Sequence, residues 1–210
     1  MCNILKVQWT IIPRNAPQPR MVCSGCGGYT AFKSSDKLRL NANGKKLDAW
    51  LIYKCIHCDK TWNRTLFERR SVRSIDPETL EALQTNDPDW IRGHAFNVDA
   101  LKAKSQHVEE FAEVDIHRKI ICRPEKSEFV EILLSIPVQT SLRLDRLLAA
   151  ELNISRSRLQ MLYETGLLQV DSQQNGALRR PPKHGLRTVL DLSSELDRDS
   201  ILQSACGGNG

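Results

Sequence analysis

Apolar positions recur along this chain with two periods, and the change of period divides it. Over residues 4–12 every second side chain is apolar, with Lys6, Gln8 and Thr10 between, the pattern of a strand with one buried face. Pro13, Pro17 and Pro19 end that run in a loop over residues 13–20. After a link over residues 29–36, residues 37–40 and 47–55 predict two strands joined at Asn43-Gly44, a dipeptide suited to a tight turn with positive φ at both central positions. Residues 60–67 predict a returning strand. From Asp76 the signals become helical. Asp76-Pro77-Glu78 combines an N-cap acid, a proline at the first helical position and an acid in the first turn, so a helix is expected to Thr85. Asp87-Pro88 opens a second helix through Trp90 and Ile91, and Asn97 caps a third through Ala100 and Leu101. Alternation returns over residues 111–122 and 128–136, which predict a hairpin around Pro124-Glu125-Lys126.

Near the C-terminus, Leu144, Leu147, Leu148 and Leu152 share one face of a helix over residues 143–152. Asn153-Ile154 breaks it, and Ser155 caps a second helix that buries Leu159, Leu162 and Tyr163 and stops at Gly166. Residues 167–170 and 188–192 read as strands, with a turn at Lys183-His184-Gly185 before the second. The glycine-rich end, residues 207–210, is expected to be disordered.

Composition narrows the class. The 210 residues are 40% hydrophobic and 26% charged, as in an ordinary globular protein. No apolar run approaches the roughly 18 residues of a membrane span. Residues 1–20 lack the charged and apolar regions of a secretory signal, so the expected compartment is the cytoplasm. Seven cysteines is an odd count, which argues against a complete disulfide framework; Cys2, Cys122 and Cys206 are scattered, and the other four form two C-x-x-C pairs. The net charge of +5 is uneven. Residues 1–75 carry 14 Lys/Arg against 4 Asp/Glu, residues 76–140 carry 7 against 13, and residues 141–192 carry 8 against 5. Two basic blocks flanking an acidic one point to a polyanion; ordinary charge segregation on a solvated surface is the competing reading.

The two pairs, Cys23-Ser24-Gly25-Cys26 and Cys55-Ile56-His57-Cys58, supply four thiolates at the spacing of a zinc ribbon. The 28 residues between them fit a hairpin that returns the second knuckle beside the first. Gly25, Gly27 and Gly28 relieve crowding around the metal. Four protein ligands close the coordination sphere, so the expected cofactor is one structural Zn2+ with no site for an activated water. His57 lies between two ligands and reads as a solvated or supporting side chain. A thioredoxin-like role for one pair needs a βαβ context that is absent. Trp50, Tyr53 and Trp62, interleaved with Lys54, Lys60 and Arg64, are suited to stacking on bases; packing against the metal module is the favoured reading in so small a core.

The residues Arg143-Leu144-Asp145 with Leu147-Leu148, then Ser155-Arg156-Ser157, Gly166, Leu168 and Val170, and the run from Leu178 to Gly185 resemble the S-four (αL) RNA-binding domain over some 50 residues. The chain departs from it at Val170-Asp171-Ser172, where that family has V-N-G, in a longer loop at residues 173–177, and at Leu186, where it has an acid. The resemblance implies RNA contacts from the helix pair and the turn. Arg156 and Arg158 also stand in the first turn of a helix, where the dipole disfavours cations by roughly 0.3–1 kcal/mol each, so an anion is expected there. The expected RNA-binding set is Arg143, Arg146, Ser155, Arg156, Arg158 and Lys183. Across the chain, SDKLRLNANGKK at residues 35–46, WLIYKC at 50–55 and TWNR at 61–64 resemble a bacterial family catalogued as domain of unknown function 1062.

The expected fold is α+β in three parts with a flexible tail. These are a β zinc ribbon over residues 1–75, helices and a β-hairpin over 76–140, an S-four-like module over 141–192, and a tail over 193–210. The expected function is a non-catalytic zinc protein that binds structured RNA, ribosomal or transfer RNA among the candidates. The alternative is a zinc-ribbon adaptor or transcription-associated factor that binds a protein or duplex DNA. An RNA-modifying enzyme ranks below both: the middle of about 65 residues is too small for such a catalytic domain, and His107, Glu109, Glu110 and His117 fit solvated positions better than catalytic ones.

Overall fold

The computed structural model describes residues 3–172 and 176–208; Cys2, residues 173–175 of the long loop, and the last two residues of the tail lie outside them. In chain order the elements are β1 (Ile4–Pro13), β2 (Gln18–Val22), β3 (Tyr29–Asn43), β4 (Lys46–Cys55), β5 (Thr61–Ser71), α1 (Pro77–Thr85), α2 (Pro88–Ala95), α3 (Val98–Lys102), β6 (His107–Glu109), β7 (Val114–Cys122), β8 (Phe129–Ser135), α4 (Leu144–Glu151), α5 (Arg156–Glu164), β9 (Leu168–Val170), β10 (Arg187–Asp191) and α6 (Arg198–Cys206). The class is mixed α+β, mostly sheet. Among the described residues no helix is long and apolar enough to cross a membrane.

The chain folds as two compact units, residues 15–111 and residues 1–14 with 112–210, which corrects the consecutive three-part division. The first strand, expected in the ribbon, belongs with the C-terminal half. In that unit the sheet order is β7-β1-β8-β10-β9, with β1 antiparallel to β7 and parallel to β8. The expected hairpin of residues 111–122 and 128–136 is therefore not formed, because β1 lies between its two arms. The reason is burial. Leu5, Val7, Trp9 and Ile11 form a continuous apolar face on β1, and pairing on both edges encloses it with Val130, Ile132 and Leu134 of β8. A short loop in sequence says nothing of a third strand arriving from 100 residues away.

Helices α4, α5 and α6 supply Leu144, Leu147, Leu148, Leu159, Leu162, Ile201 and Ala205 to the same core. Ser155 caps α5 as predicted, its hydroxyl accepting from the Arg158 N–H at 3.2 Å. The expected flexible tail is corrected over residues 198–206, which are helical. The buried Trp9 indole Nε1–H donates to the Ala205 carbonyl at 2.9 Å, and the apolar Ile201 and Ala205 leave no reason for α6 to detach.

The other unit is a five-stranded sheet of order β5-β4-β3-β2-β6, with α1, α2 and α3 contributing to its core. Alternation on β4 buries Leu47, Ala49, Leu51, Tyr53 and Cys55 beside Leu83, Ile91, Ala95 and Leu101 from the helices. Asp76, Asp87 and Asn97 cap the helices as predicted, each accepting from a backbone N–H three residues on. Strand β2 occupies part of the expected proline loop. It meets β3 through Arg20–Val22 and β6 through residues 18–20, so Pro19 has a strand on one side only and its missing N–H costs no second ladder bond. Strand β6 carries too short a pattern to be read from sequence.

If α6 closes the core, deleting residues 197–210 will lower stability by at least about 3 kcal/mol in urea unfolding. An unchanged midpoint would mean the helix is dispensable.

Candidate metal centre

The two C-x-x-C segments fold into matching knuckles. In the first, the Cys23 N–H donates to the Gly28 carbonyl at 2.9 Å and the Gly27 N–H to the Cys23 carbonyl at 2.8 Å. In the second, the Cys55 N–H donates to the Lys60 carbonyl at 2.9 Å and the Asp59 N–H to the Cys55 carbonyl at 3.2 Å. The residue after the second cysteine is left-handed in both, Gly27 at φ +71° and Asp59 at φ +57°. Glycine adopts that region freely and aspartate is among the few other residues that tolerate it. The first knuckle joins β2 to β3 and the second joins β4 to β5, so pairing of β3 with β4 carries one to the other; Phe32 lies opposite Cys55 in that register.

The result brings four sulfurs within 4.8 Å of one another. Cys23 and Cys58 are 3.5 Å apart across the knuckles, and Cys26 and Cys55 are 3.7 Å apart. Sulfurs set tetrahedrally at about 2.3 Å from a central ion have edges of about 3.8 Å, so this set can hold a metal ion. Cys23 and Cys55 are buried, Cys26 and Cys58 exposed, and the His57 ring is exposed and outside the sulfur set. Burial pushes the Cys55 thiol up, but the N–H groups of His57 and Cys58 outweigh it and bring it down to about 6. The His57 amide lies 3.5 Å from the Cys55 sulfur. Cys26 is pushed up to about 12, first by its hydrogen bond with Cys58 and then by burial. One thiolate is favoured, and further ones at such short range need a cation. Gly25 completes the cradle, because a Cβ there would stand 2.9 Å from the Cys58 sulfur.

The six residues expected to contact RNA divide into separate places. Asp145 is buried and takes Arg143 at 2.6 and 3.1 Å and Arg156 at 2.9 Å. Burial pushes the Asp145 carboxyl up, but the hydrogen bonds from Arg156 and Arg143 prevail and hold it below its ordinary value. Arg158 grips Asp197 at 2.5 and 2.6 Å and also pairs with Glu195. The anions expected at the start of α5 are therefore supplied, at least in part, by the chain itself. Arg143 and Arg156 line a hollow of about 360 Å³ with Arg179, which the sequence reading did not single out. Arg146 is exposed and lines none of it, and Lys183 borders a different hollow with Arg180 and His184. Glu109 and Glu110 pair with Arg20 and Lys102 at 3.6 and 3.4 Å, as solvated side chains do.

Two outcomes follow from this geometry. Gly25→Ala should weaken metal retention in a chelator competition, whereas Gly28→Ala, whose Cβ would meet nothing within 4 Å, should not. Because the Asp145 carboxyl is depressed, its contribution to stability is complete above the ordinary carboxylate pKa and lost as pH falls through the lowered value. Acid unfolding of Asp145→Asn should lack that component; an unaltered acid slope would mean the arginine pairs contribute nothing.

No curated protein and no solved structure matches the chain. The profile of a family described as "Protein of unknown function (DUF1062)" matches residues 40–174, more than half of the chain, a stretch that includes Cys55, Cys58, α4 and α5. The protein belongs to that family.

Proposed function

We propose that this protein is a non-catalytic, zinc-containing RNA-binding protein of the cytoplasm, with RNA of the ribosomal or transfer type as its candidate partner. One observation carries the reading: the unit that gathers the four sulfurs also presents cations without internal partners. Lys33, Lys37, Arg39, Lys45, Lys46 and Lys60 are exposed, and none forms an ion pair among the described residues. Zinc suits four thiolates in a tetrahedron, and a site closed by four protein ligands has no position for a reacting water, which supports a structural metal. In the other unit, the order α4, α5, β9, β10 agrees with an S-four-like module. The hollow of Arg143, Arg156 and Arg179 holds three guanidinium groups against one carboxylate and retains positive charge for a phosphate.

A protein partner is the second reading. Val22, Tyr29 and Ile56 are 62%, 58% and 46% exposed, each within three residues of a cysteine of the cluster, and so much apolar surface favours an adaptor.

Elemental analysis should find one zinc per chain. Filter binding to total RNA should weaken steeply with salt: about four phosphates contacted on a single strand give a slope of about −2.8, or about a 50-fold loss between about 50 and 200 mM. Arg146→Glu with Lys183→Glu, both exposed, should reduce affinity with unchanged circular dichroism. Salt-independent binding, or recovery from nuclease-treated lysate of a protein partner with no RNA, would favour the adaptor.

A further inference from the structure

One face of the sheet in the metal-holding unit is left open. Alternation on β4 sends Leu51, Tyr53 and Cys55 to the helices and Trp50, Ile52 and Lys54 to the opposite side. Register continues this second face across its neighbours: on β3, Arg39 lies opposite Trp50 and Lys33 opposite Lys54, and on β5, Thr65 lies opposite Trp50. No residue of this set is buried: Lys33 and Arg39 are exposed, and Trp50, Ile52, Lys54 and Thr65 are half-buried.

The three aromatics near the second knuckle have different fates. Tyr53 and Trp62 pack together with ring centroids 5.2 Å apart, as the favoured sequence reading expects. Trp50 joins none of the three hydrophobic clusters and makes no ring contact among the described residues. It stands on β4, between β3 and β5, with Arg39 directly opposite and Asp48 two residues along the same face. Asp48, the acid nearest along β4, already accepts the Arg69 N–H at 2.6 Å. Lys33, Arg39 and Lys54 form no ion pair among the described residues, in contrast to Arg143, Arg156 and Arg158.

We propose that this open face, centred on Trp50, is a stacking platform for single-stranded RNA, with Arg39, Lys33 and Lys54 contacting the phosphates. The inference rests on the RNA-binding reading and names its surface. A broad sheet face offers an indole to a splayed base, whereas an A-form duplex keeps its bases stacked and presents only a shallow minor groove. Charge decides the occupant: an apolar protein surface would have to bury three uncompensated cations, and a polyphosphate chain compensates them.

The test uses the full-length, metal-loaded protein and fluorescence anisotropy with a labelled mixed-sequence RNA of about ten nucleotides, single-stranded or annealed to its complement. Trp50→Ala should weaken the single strand at least about tenfold and Trp50→Phe by no more than about threefold, with metal content unchanged. Arg39→Glu, a change at an exposed position, should weaken binding and reduce the salt slope by about 0.7. Photocrosslinking of 4-thiouridine RNA should label the peptide containing Trp50. Single-strand binding that ignores both the Trp50 and Arg39 variants but is lost in Arg146→Glu with Lys183→Glu would overturn the platform and leave the RNA reading standing. Equal affinity for duplex and single strand would likewise overturn it. Absence of any RNA binding by the parent protein at low salt would sink the RNA reading itself, and so would a protein ligand displaced by Trp50→Ala in RNA-free material.

Discussion

Four sulfurs crowded within 4.8 Å are the constraint around which residues 15–111 are organised. Each knuckle is a tight turn that points two thiols inward and spends its own amides on the turn and on sulfur, and neither buries enough apolar surface to stand alone. Pairing of β3 with β4 brings the knuckles together, so strand register and sulfur geometry depend on each other. A slip of one residue would turn Cys55 from the buried face to the open one. Both knuckles close the same end of the long central strands, where β3 begins and β4 ends, and the turn between Asn43 and Lys46 closes the other; α1, α2 and α3 cover one face of the sheet.

Charge is handled differently in the two units. In the C-terminal one, Asp145, Glu195 and Asp197 answer Arg143, Arg156 and Arg158 from within the chain. The cost of two cations in the first turn of α5 is thereby offset without any ligand. In the metal-holding unit the exposed Lys33, Lys37, Arg39 and Lys46 of β3 and β4 form no ion pair among the described residues, whereas Lys6, Arg14 and Arg20 from the basic first 75 residues pair with Glu131, Asp115 and Glu109.

Arg64 shows the same principle in the interior. It is buried on β5 with no carboxylate, and its guanidinium donates to the His94 carbonyl at 2.9 Å and lies 5.9 Å from the Tyr53 ring centre. Dispersed charge on a planar group tolerates neutral partners better than an ammonium does. Burial raises the Tyr53 hydroxyl pKa against the lowering influence of Arg64. Of the three cations interleaved with aromatics near the second knuckle, this one serves packing, whereas Lys54 remains on the open face.

The amino-acid sequence alone determined the local features. The four-cysteine set, the hairpin joining β3 to β4, the capped starts of α1, α2, α3 and α5, and the apolar stripes of α4 and α5 are each written in neighbouring residues, although the turn falls on Gly44-Lys45, one position beyond the expected Asn43-Gly44, with Asn43 paired to Lys46. Side-chain period and turn chemistry act over a few positions, so they can be read there. Tertiary structure decided the rest. It set β1 between β7 and β8, recruited the apparent tail as α6, and aimed Asp197 at Arg158 from 39 residues away. It also separated Trp50 from Tyr53 and Trp62, which are alike in composition and differ in the face they occupy. Those outcomes depend on which buried faces and opposite charges meet after long loops close, and that free-energy balance is struck only when the whole core assembles.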